Sequence, residues 1–334
     1  MTQPPNFAAN VASAVSPLST HLAQPTVTAA TRRRFAQNLV LPLVLLAASI
    51  VTTTAIGARF MQNFLLGQPA IASDSDLWPW PWLLHDPSRF RLGCPFSAAL
   101  LLILLTHEFG HYFACRAHGI RATLPWVLPA PTLSGTAGAV IRIQSRIPNR
   151  RALVDVGVWG PIAGYCASIV ACIVGIARSE PAAPLHAARI VDFSAPLTLS
   201  TLTPLLHAPA FEHTLRHPIL IAGWVGLFIT ALNLIPAGQL DGGHLLYALS
   251  PRAHRWTTRL ATPVLLLLGI FFWVGWALWG LLLLIPAMRR HPKVPSTGPL
   301  GRGRVLLCGL ALVIFVLTFA FAPFAQSSLL HYLR

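Results

Sequence analysis

Residues 96–119, with the sequence FSAALLLILLTHEFGHYFACRAHG, place a charged motif inside an apolar segment. An apolar run of this length can cross the roughly 30 Å hydrocarbon core of a bilayer as an α-helix. Within it, His107, Glu108 and His111 form the pattern His-Glu-x-x-His. Ionisable side chains are costly at membrane depth, and those that occur there are usually functional. The segment therefore predicts a transmembrane helix that carries a reactive site.

The spacing of the motif suggests its chemistry. On a helix, His107 and His111 lie on the same face, so both rings can bind one metal ion. Glu108 lies about 100° around the helix from His107, where its carboxylate can act as a general base. The first hypothesis is zinc-dependent hydrolysis inside a membrane. The alternative is a chance match of packed residues in a chain with 13 histidines.

The composition sets the fold class. With 54% hydrophobic and 10% charged residues and several long apolar runs, the chain is predicted to be an all-α polytopic membrane protein. Six or seven transmembrane helices are expected, because the fifth run is long for one span and short for two. The runs are residues 39–57, 96–117, 153–177, 218–236, 259–288 and 304–323.

The net charge of +15 does not indicate nucleic-acid binding. The basic residues cluster in short loops beside apolar runs, which is the positive-inside pattern of membrane proteins. The side that carries Arg32–Arg34, Arg116–Arg151 and Arg252–Arg259 is expected to face the cytosol. The basic residues of 289–304 would share this side only if residues 259–288 cross the membrane twice. This argument favours seven helices.

Four regions are predicted along the chain. Residues 1–37 form a disordered cytosolic tail, since the segment lacks acids and is rich in Ala, Ser, Thr and Pro. Residues 38–95 hold the first transmembrane helix and an outside connector. The metalloprotease catalytic core covers 96–246, and further transmembrane helices follow in 247–334.

A short membrane-associated β-hairpin is predicted between the second and third helices. Residues 139–144 (AVIRIQ) alternate apolar and polar side chains, and residues 134–138 (SGTAG) are typical of a turn. Strand backbone at membrane depth must be satisfied by protein or water, so the hairpin should line the site. It is either an edge strand that pairs with an unwound substrate or a plain cytosolic hairpin.

Asp241 is the candidate for a third metal ligand, because a catalytic zinc needs one more protein ligand beside two histidines. It follows Pro236 and Gly238 and precedes Gly242 and Gly243, so the backbone can turn tightly there. Taken alone, an aspartate that caps a cytosolic turn is the simpler interpretation. The presence of His-Glu-x-x-His favours the ligand.

The two motifs together resemble the site-2 protease family of intramembrane zinc metalloproteases. The resemblance covers about residues 96–246 and includes the segments GTAG at 135–138 and GPIAG at 160–164. The sequence NLIPAGQLDGG at 233–243 most resembles the archaeal and chloroplast branch of the family, which lacks a PDZ domain. The connectors here, of about 40 residues or fewer, are likewise too short for such a domain.

The resemblance implies an assignment of the site. Zinc would be held by His107, His111 and Asp241, and Glu108 would activate the attacking water. The substrate would be a membrane-spanning protein, cut within or near the lipid bilayer on the cytosolic side. Further contacts to the substrate or the developing oxyanion are assigned to Asn233, Gly135 and Thr136. For Asn233 a helix–helix hydrogen bond is the alternative.

Two other function classes stay open. A membrane metal transporter would also place histidines and acids in helices, but it would be expected to show internal repeats or ligands on several helices. A catalytically inactive scaffold could bind membrane helices and keep the motif. No clear targeting motif is visible, so a bacterial inner membrane is expected, with a plastid membrane as the alternative. The oligomeric state is not predicted.

Overall fold

A computed structural model of the chain describes residues 29–182, 192–296, 298–325 and 327–332. The chain divides into two units, residues 1–38 and residues 39–334. Most of the predicted disordered tail lies outside the described residues. Its last part, from Ala29, is helical.

The described residues are predominantly helical. The helices are α1 (Ala29–Leu65), α2 (Trp80–His85), α3 (Cys94–Ala117), α4 (Arg150–Arg178), α5 (Leu197–Leu205), α6 (Pro218–Asn233), α7 (Asp241–Leu249), α8 (Pro251–Phe271), α9 (Val274–Leu282), α10 (Pro286–Arg289), α11 (Arg302–Thr318) and α12 (Leu329–Tyr332). Short 3-10 helices cover Asp74–Leu77, Pro87–Gly93 and Phe211–His213, and the strands are β1 (Trp126–Pro129), β2 (Thr136–Val140), β3 (Glu180–Pro181) and β4 (Thr214–Leu215).

Three helical segments in the described part of the chain are long and apolar enough to cross a membrane. They are Leu39–Leu65, Pro87–Ala117 and Arg150–Arg178. Helices α6 and α11 have 16 and 17 residues, which gives lengths of about 24–26 Å, less than the roughly 30 Å hydrocarbon core. The expected six or seven transmembrane helices are therefore not confirmed.

The long run 259–288 folds back on itself. Helix α8 ends at Phe271 and α9 begins at Val274. A Cβ atom on Gly269 would lie 2.6 Å from Cβ of Ala277, so the two helices touch closely at this glycine. Since α9 has nine residues, it is about 14 Å long. The run is therefore a helical hairpin with one short arm, not a single long span or two complete spans.

Helix α4 packs tightly between α3 and α6. A Cβ on Gly110 of α3 would overlap the backbone carbonyl of Trp159 in α4. On the other side, a Cβ on Gly223 of α6 would lie 2.6 Å from Sγ of Cys172. Such close backbone approach at small residues is typical of packing between membrane helices. It fixes the face of α3 that carries the His-Glu-x-x-His motif against α4.

The predicted β-hairpin is present between α3 and α4. Strands β1 and β2 pair antiparallel, with Val127 opposite Ala139, and an isolated bridge joins Ala122 to Ile143. Strand β2 begins at Thr136, so the connection between the strands lies at 130–135 and not at the predicted 134–138. A second small sheet, β3–β4, pairs the two ends of the 178–217 connector.

Candidate metal centre

The motif residues of α3 are buried together. His107, Glu108 and His111 are 3%, 5% and 7% exposed. The Nε2 atoms of the two histidines lie 3.1 Å apart, as the one-turn spacing requires. The potential ligand atoms of all three residues lie within 4.8 Å of one another. The helix therefore presents two imidazoles and one carboxylate to a common point.

Asp241 reaches the same point from the start of α7. The chain turns between α6 and α7 at Gly238, whose φ of 58° is left-handed and favours glycine. A Cβ on Gly242 would overlap the carbonyl of Leu234, so the turn closes this tightly only with glycine there. As a result, Oδ2 of Asp241 lies 3.4 Å from Nε2 of His107 and 3.3 Å from Nε2 of His111.

These three atoms fit a zinc ion. Ligands at 2.0–2.1 Å around a tetrahedral zinc lie about 3.3 Å from one another. The measured separations among His107, His111 and Asp241 are 3.1–3.4 Å. Two imidazoles and one carboxylate are also the donor set of many catalytic zinc sites, which keep one position for water or substrate.

Helix α4 shapes and orients the two imidazoles. Nδ1 of His111 lies 2.6 Å from the carbonyl of Val156, to which it donates its proton, leaving Nε2 free to bind a metal. A Cβ on Gly160 would overlap the ring of His111. A Cβ on Gly164 would lie 2.7 Å from Nδ1 of His107. The two glycines of the GPIAG segment thus make room for the two rings.

A cavity of about 240 Å³ opens onto the cluster. Asn233 lines it, with Nδ2 3.2 Å from Nε2 of His107. The hairpin contributes the other wall through Ile141 and Ile143. The four polar groups of the cluster therefore line one cavity.

Gly135 and Thr136 lie elsewhere in the hairpin and do not line this cavity. The hydroxyl of Thr136 donates to the carbonyl of Leu128, 2.7 Å away, and the hydroxyl of Thr52 in α1 donates to the carbonyl of Gly135 at 2.6 Å. The predicted substrate or oxyanion role therefore has no geometric support at either residue. Both hold the hairpin in place, Gly135 against α1.

Asp155 does not contact His107 or His111. Its carboxylate lies 2.8 Å from Nε2 of His118 and 2.7 Å from Nη2 of Arg304, and so links the ends of three helices. The sequence does not predict that Gly160 and Gly164 make room for the two imidazoles. Their spacing indicates helix packing, but spacing alone does not reveal that an imidazole is the packing partner.

A helical bundle with membrane-length helices and a buried His-Glu-x-x-His plus aspartate cluster defines a membrane metalloprotease of the zinc type. The sequence profile of peptidase family M50 matches residues 95–275, more than half of the chain. The chain belongs to this family, which confirms the resemblance to the site-2 proteases and identifies zinc as the cofactor.

Several named relatives agree with this assignment. The chain is 34% identical over 233 residues to the probable zinc metalloprotease EGY1 of Arabidopsis thaliana chloroplasts, covering 67% of this chain and 42% of that protein. It is 30% identical over 236 residues to the rice EGY1 protein, covering 67% and 40%. With Arabidopsis EGY2 the identity is 28% over 248 residues, covering 70% and 41%. The chain thus spans about two fifths of the length of these relatives.

Proposed function

We propose that this protein is an intramembrane zinc protease that hydrolyses a peptide bond in or near the transmembrane helix of a membrane-anchored substrate. The observation that supports this most directly is the set of three donor atoms at 3.1–3.4 Å, beside the buried Glu108. Two of these donors lie on a helical segment that is long enough to cross a membrane. The proposed catalytic core covers residues 96–246.

In the proposed reaction, His107, His111 and Asp241 would hold the zinc ion, which would act as the Lewis acid that acidifies water and polarises a carbonyl. Glu108 takes the proton of the attacking water and passes it to the leaving amine. The side-chain amide of Asn233, beside His107, donates to the oxyanion that develops on the substrate. The Val156 carbonyl keeps His111 in the required tautomer.

We propose that the substrate binds as an added strand along residues 141–143, which directly follow β2. Thr123 donates its N–H to the carbonyl of Arg142 at 3.0 Å, so Arg142 faces the hairpin partner. Because backbone groups alternate along an antiparallel strand, those of Ile141 and Ile143 face the open edge and the cavity. A peptide bound there would be extended, which exposes the bond that a helix would shield.

The proposed partners are a membrane-spanning protein substrate and the lipid bilayer. The compartment to which the relatives' names point is a plastid membrane, since the named EGY proteins are chloroplastic. The expected bacterial inner membrane receives no support from these relatives. The cavity at the metal centre is proposed to open to the side of the membrane that carries the basic loops.

The test is cleavage of single-span membrane substrates by purified protein in detergent or nanodiscs. We expect wild type to cleave, and Glu108→Gln and Asp241→Ala to lose at least about three orders of magnitude in rate, since each removes part of the catalytic machinery. The exposed Asp74→Asn is the matched acid control and should cleave like wild type. Cleavage that survives in Glu108→Gln would contradict the protease mechanism and favour the scaffold or transporter.

A further inference from the structure

A second cavity, of about 800 Å³, lies beside the candidate metal centre and is strongly basic. It is enclosed by α8, by the segment 284–294 and by Tyr247 of α7. We call it the basic cavity. Five of its lining residues carry a fixed positive charge: Arg255, Arg259, Arg289, Arg290 and Lys293.

These charges lack acidic partners. None of the five forms an ion pair with another described residue. The sequence explains why, because residues 242–334 contain no Asp or Glu at all. Five cations around one cavity repel one another, so a bound anion would stabilise the arrangement.

One wall of the cavity is formed by the imidazole ring of His291. Burial lowers the pKa of the His291 ring to about 4, so this ring is neutral near pH 7. Its Nδ1 donates to the carbonyl of Pro292 at 2.7 Å, and its Nε2 accepts from Nδ1 of His244 at 2.8 Å. Tyr247 stacks on the same ring at a centroid distance of 3.9 Å. The ring is fixed, so the wall of the cavity is preformed.

Residues that line the basic cavity also hold the turn before Asp241. His254 donates to the carbonyl of Gly238 at 2.9 Å, and the N–H of Gly238 donates to the hydroxyl of Thr258 at 3.0 Å. The side-chain amide of Gln239 donates to the carbonyl of Arg290 at 2.8 Å. Gly238 and Gln239, two or three residues before Asp241, thus bond to residues that line the basic cavity.

Helix α8 places this cavity at the edge of the apolar surface. Its other face exposes Trp256, Leu260, Val264 and Leu267 by 50–63%, at spacings of three or four residues. In a membrane protein such a stripe faces lipid. Arg255 and Arg259 precede two of these residues and line the basic cavity, and the Arg259 guanidinium also lies 5.5 Å from the centroid of the Trp256 ring. The cations therefore lie where the polar headgroup of a membrane lipid would be found.

We propose that the basic cavity binds a phosphate-bearing anion, supplied by the headgroup of an anionic membrane lipid or by free phosphate. Arginine guanidinium groups bind phosphate oxygens in pairs, and the cavity offers them from two sides, α8 and the 289–293 segment. The binding site itself does not depend on the proposed protease activity.

Two probes distinguish the sources of the anion. Full-length protein is exchanged into nanodiscs of phosphatidylcholine with added phosphatidylglycerol, and native mass spectrometry counts the anionic lipid retained per chain. In a separate titration, inorganic pyrophosphate is added to protein in neutral detergent and heat release is measured. Retained phosphatidylglycerol would identify the lipid source, and saturable pyrophosphate binding alone would identify the free anion.

The variants test the cavity from both sides. Two double variants are compared, Arg255→Gln with Arg259→Gln and Arg289→Gln with Arg290→Gln. We expect each to weaken binding of the probe that wild type binds roughly tenfold or more, since each removes two charge-assisted contacts. Arg252→Gln with Arg302→Gln removes two exposed charges outside the cavity and should bind like wild type. Zinc content equal to that of wild type shows that a variant is folded.

The proposal is overturned if neither probe binds to wild type. It is also overturned if either folded cavity pair binds like wild type, or if the control pair loses as much affinity as the cavity pairs. Having two independent cavity pairs keeps the test decisive when one of them does not fold.

Discussion

At the residue scale, the two glycines of α4 are as important to the metal centre as its ligands. The imidazoles of His107 and His111 occupy the space that side chains at positions 164 and 160 would otherwise fill. Close packing leaves no room for either ring to shift without moving a helix. Zinc affinity should therefore depend on residues that never touch the metal.

Gly160→Ala tests this dependence. The added methyl overlaps the His111 ring, so we expect zinc content to fall severely and proteolysis with it. Gly309→Ala is the matched control, because a Cβ at Gly309 of α11 meets nothing within 4 Å. The control should keep its zinc and gain up to about 1 kcal/mol in helix stability. The measurement is the zinc content per chain of both purified variants. A zinc content in Gly160→Ala equal to that of wild type would show that the packing of Gly160 against His111 does not matter for metal binding.

The sequence could predict which residues would meet at the site better than it could predict what surrounds them. His107, Glu108, His111 and Asp241 were expected together because metal chemistry restricts both ligand type and spacing, and the structure brings them within contact distance. The position of Gly160 and Gly164 against the two rings depends on the rotation of α4. The basic cavity depends on the fold-back after Phe271. The spacing of residues in the sequence encodes neither.

At the element scale, the outside connector is anchored to α1 by one buried carboxylate. Asp76 is 2% exposed and forms an ion pair with Arg59. Its Oδ2 also accepts from Asn63 at 2.9 Å and from the N–H groups of Ala72 and Ser73 at 2.8 and 3.0 Å. Burial alone would raise the pKa of Asp76, but these hydrogen bonds, led by that from Arg59, lower it below its usual value.

Asp76→Asn should therefore lower the free energy of unfolding by about 2–3 kcal/mol at neutral pH, because Arg59 loses its partner. The pKa is lower in the folded state, so this stabilisation is present above the unfolded pKa and is lost as pH falls through the folded one. The thermal midpoints of wild type and variant should converge in acid. Asp74→Asn, which changes an exposed aspartate two residues earlier in the chain, is the control. Equal midpoints at pH 7 would contradict the anchoring role.

The open edge of the hairpin gives a second prediction at this scale. Ile143→Pro removes one outward N–H and no bond within the hairpin, so substrate pairing loses a hydrogen bond worth about 0.5–1.5 kcal/mol. We expect kcat/KM to fall roughly threefold to tenfold with zinc content unchanged. Ile143→Val keeps the N–H and should retain activity. If valine and proline variants cleave equally, the added-strand model of substrate binding is wrong.

Some elements were predictable because one physical requirement dominates them. Residues 96–117 and 153–177 were expected as helices from apolar length, and α3 and α4 cover both. The strand boundary at Thr136 was missed because turn-type residues also occur inside β2. The sequence leaves open whether 259–288 breaks and does not place the break at 272–273, because two aromatic residues, rather than glycine or proline, occupy it.

At the scale of the whole molecule, the three membrane-length helices set which connectors share a side. If each crosses the bilayer, residues 66–86, 179–182 and 192–217 face one side and residues 118–149 the other. The α8–α9 hairpin returns the chain to its starting side, because Arg255 and Arg289 line one cavity. The basic residues of 289–304 then share a side with Arg252 without a seventh complete span.

Impermeant thiol labelling tests this arrangement. In a background without the exposed Cys94 and Cys166, we expect Asp74→Cys to be labelled from one side of oriented vesicles. Arg121→Cys and Arg252→Cys should both be labelled from the other side. Labelling of Arg121→Cys from the same side as Asp74→Cys would contradict the crossing of α3.

The central claim is a zinc site in which ligands and base are separate residues. The most direct test is zinc content and cleavage measured on the same preparations of wild type, Glu108→Gln and His107→Ala. We predict about one zinc per chain in wild type and in Glu108→Gln, since Glu108 is the base and not a ligand. Cleavage should occur only in wild type, and His107→Ala should lose both zinc and cleavage. Zinc lost from Glu108→Gln, or retained in His107→Ala, would contradict this account of the site.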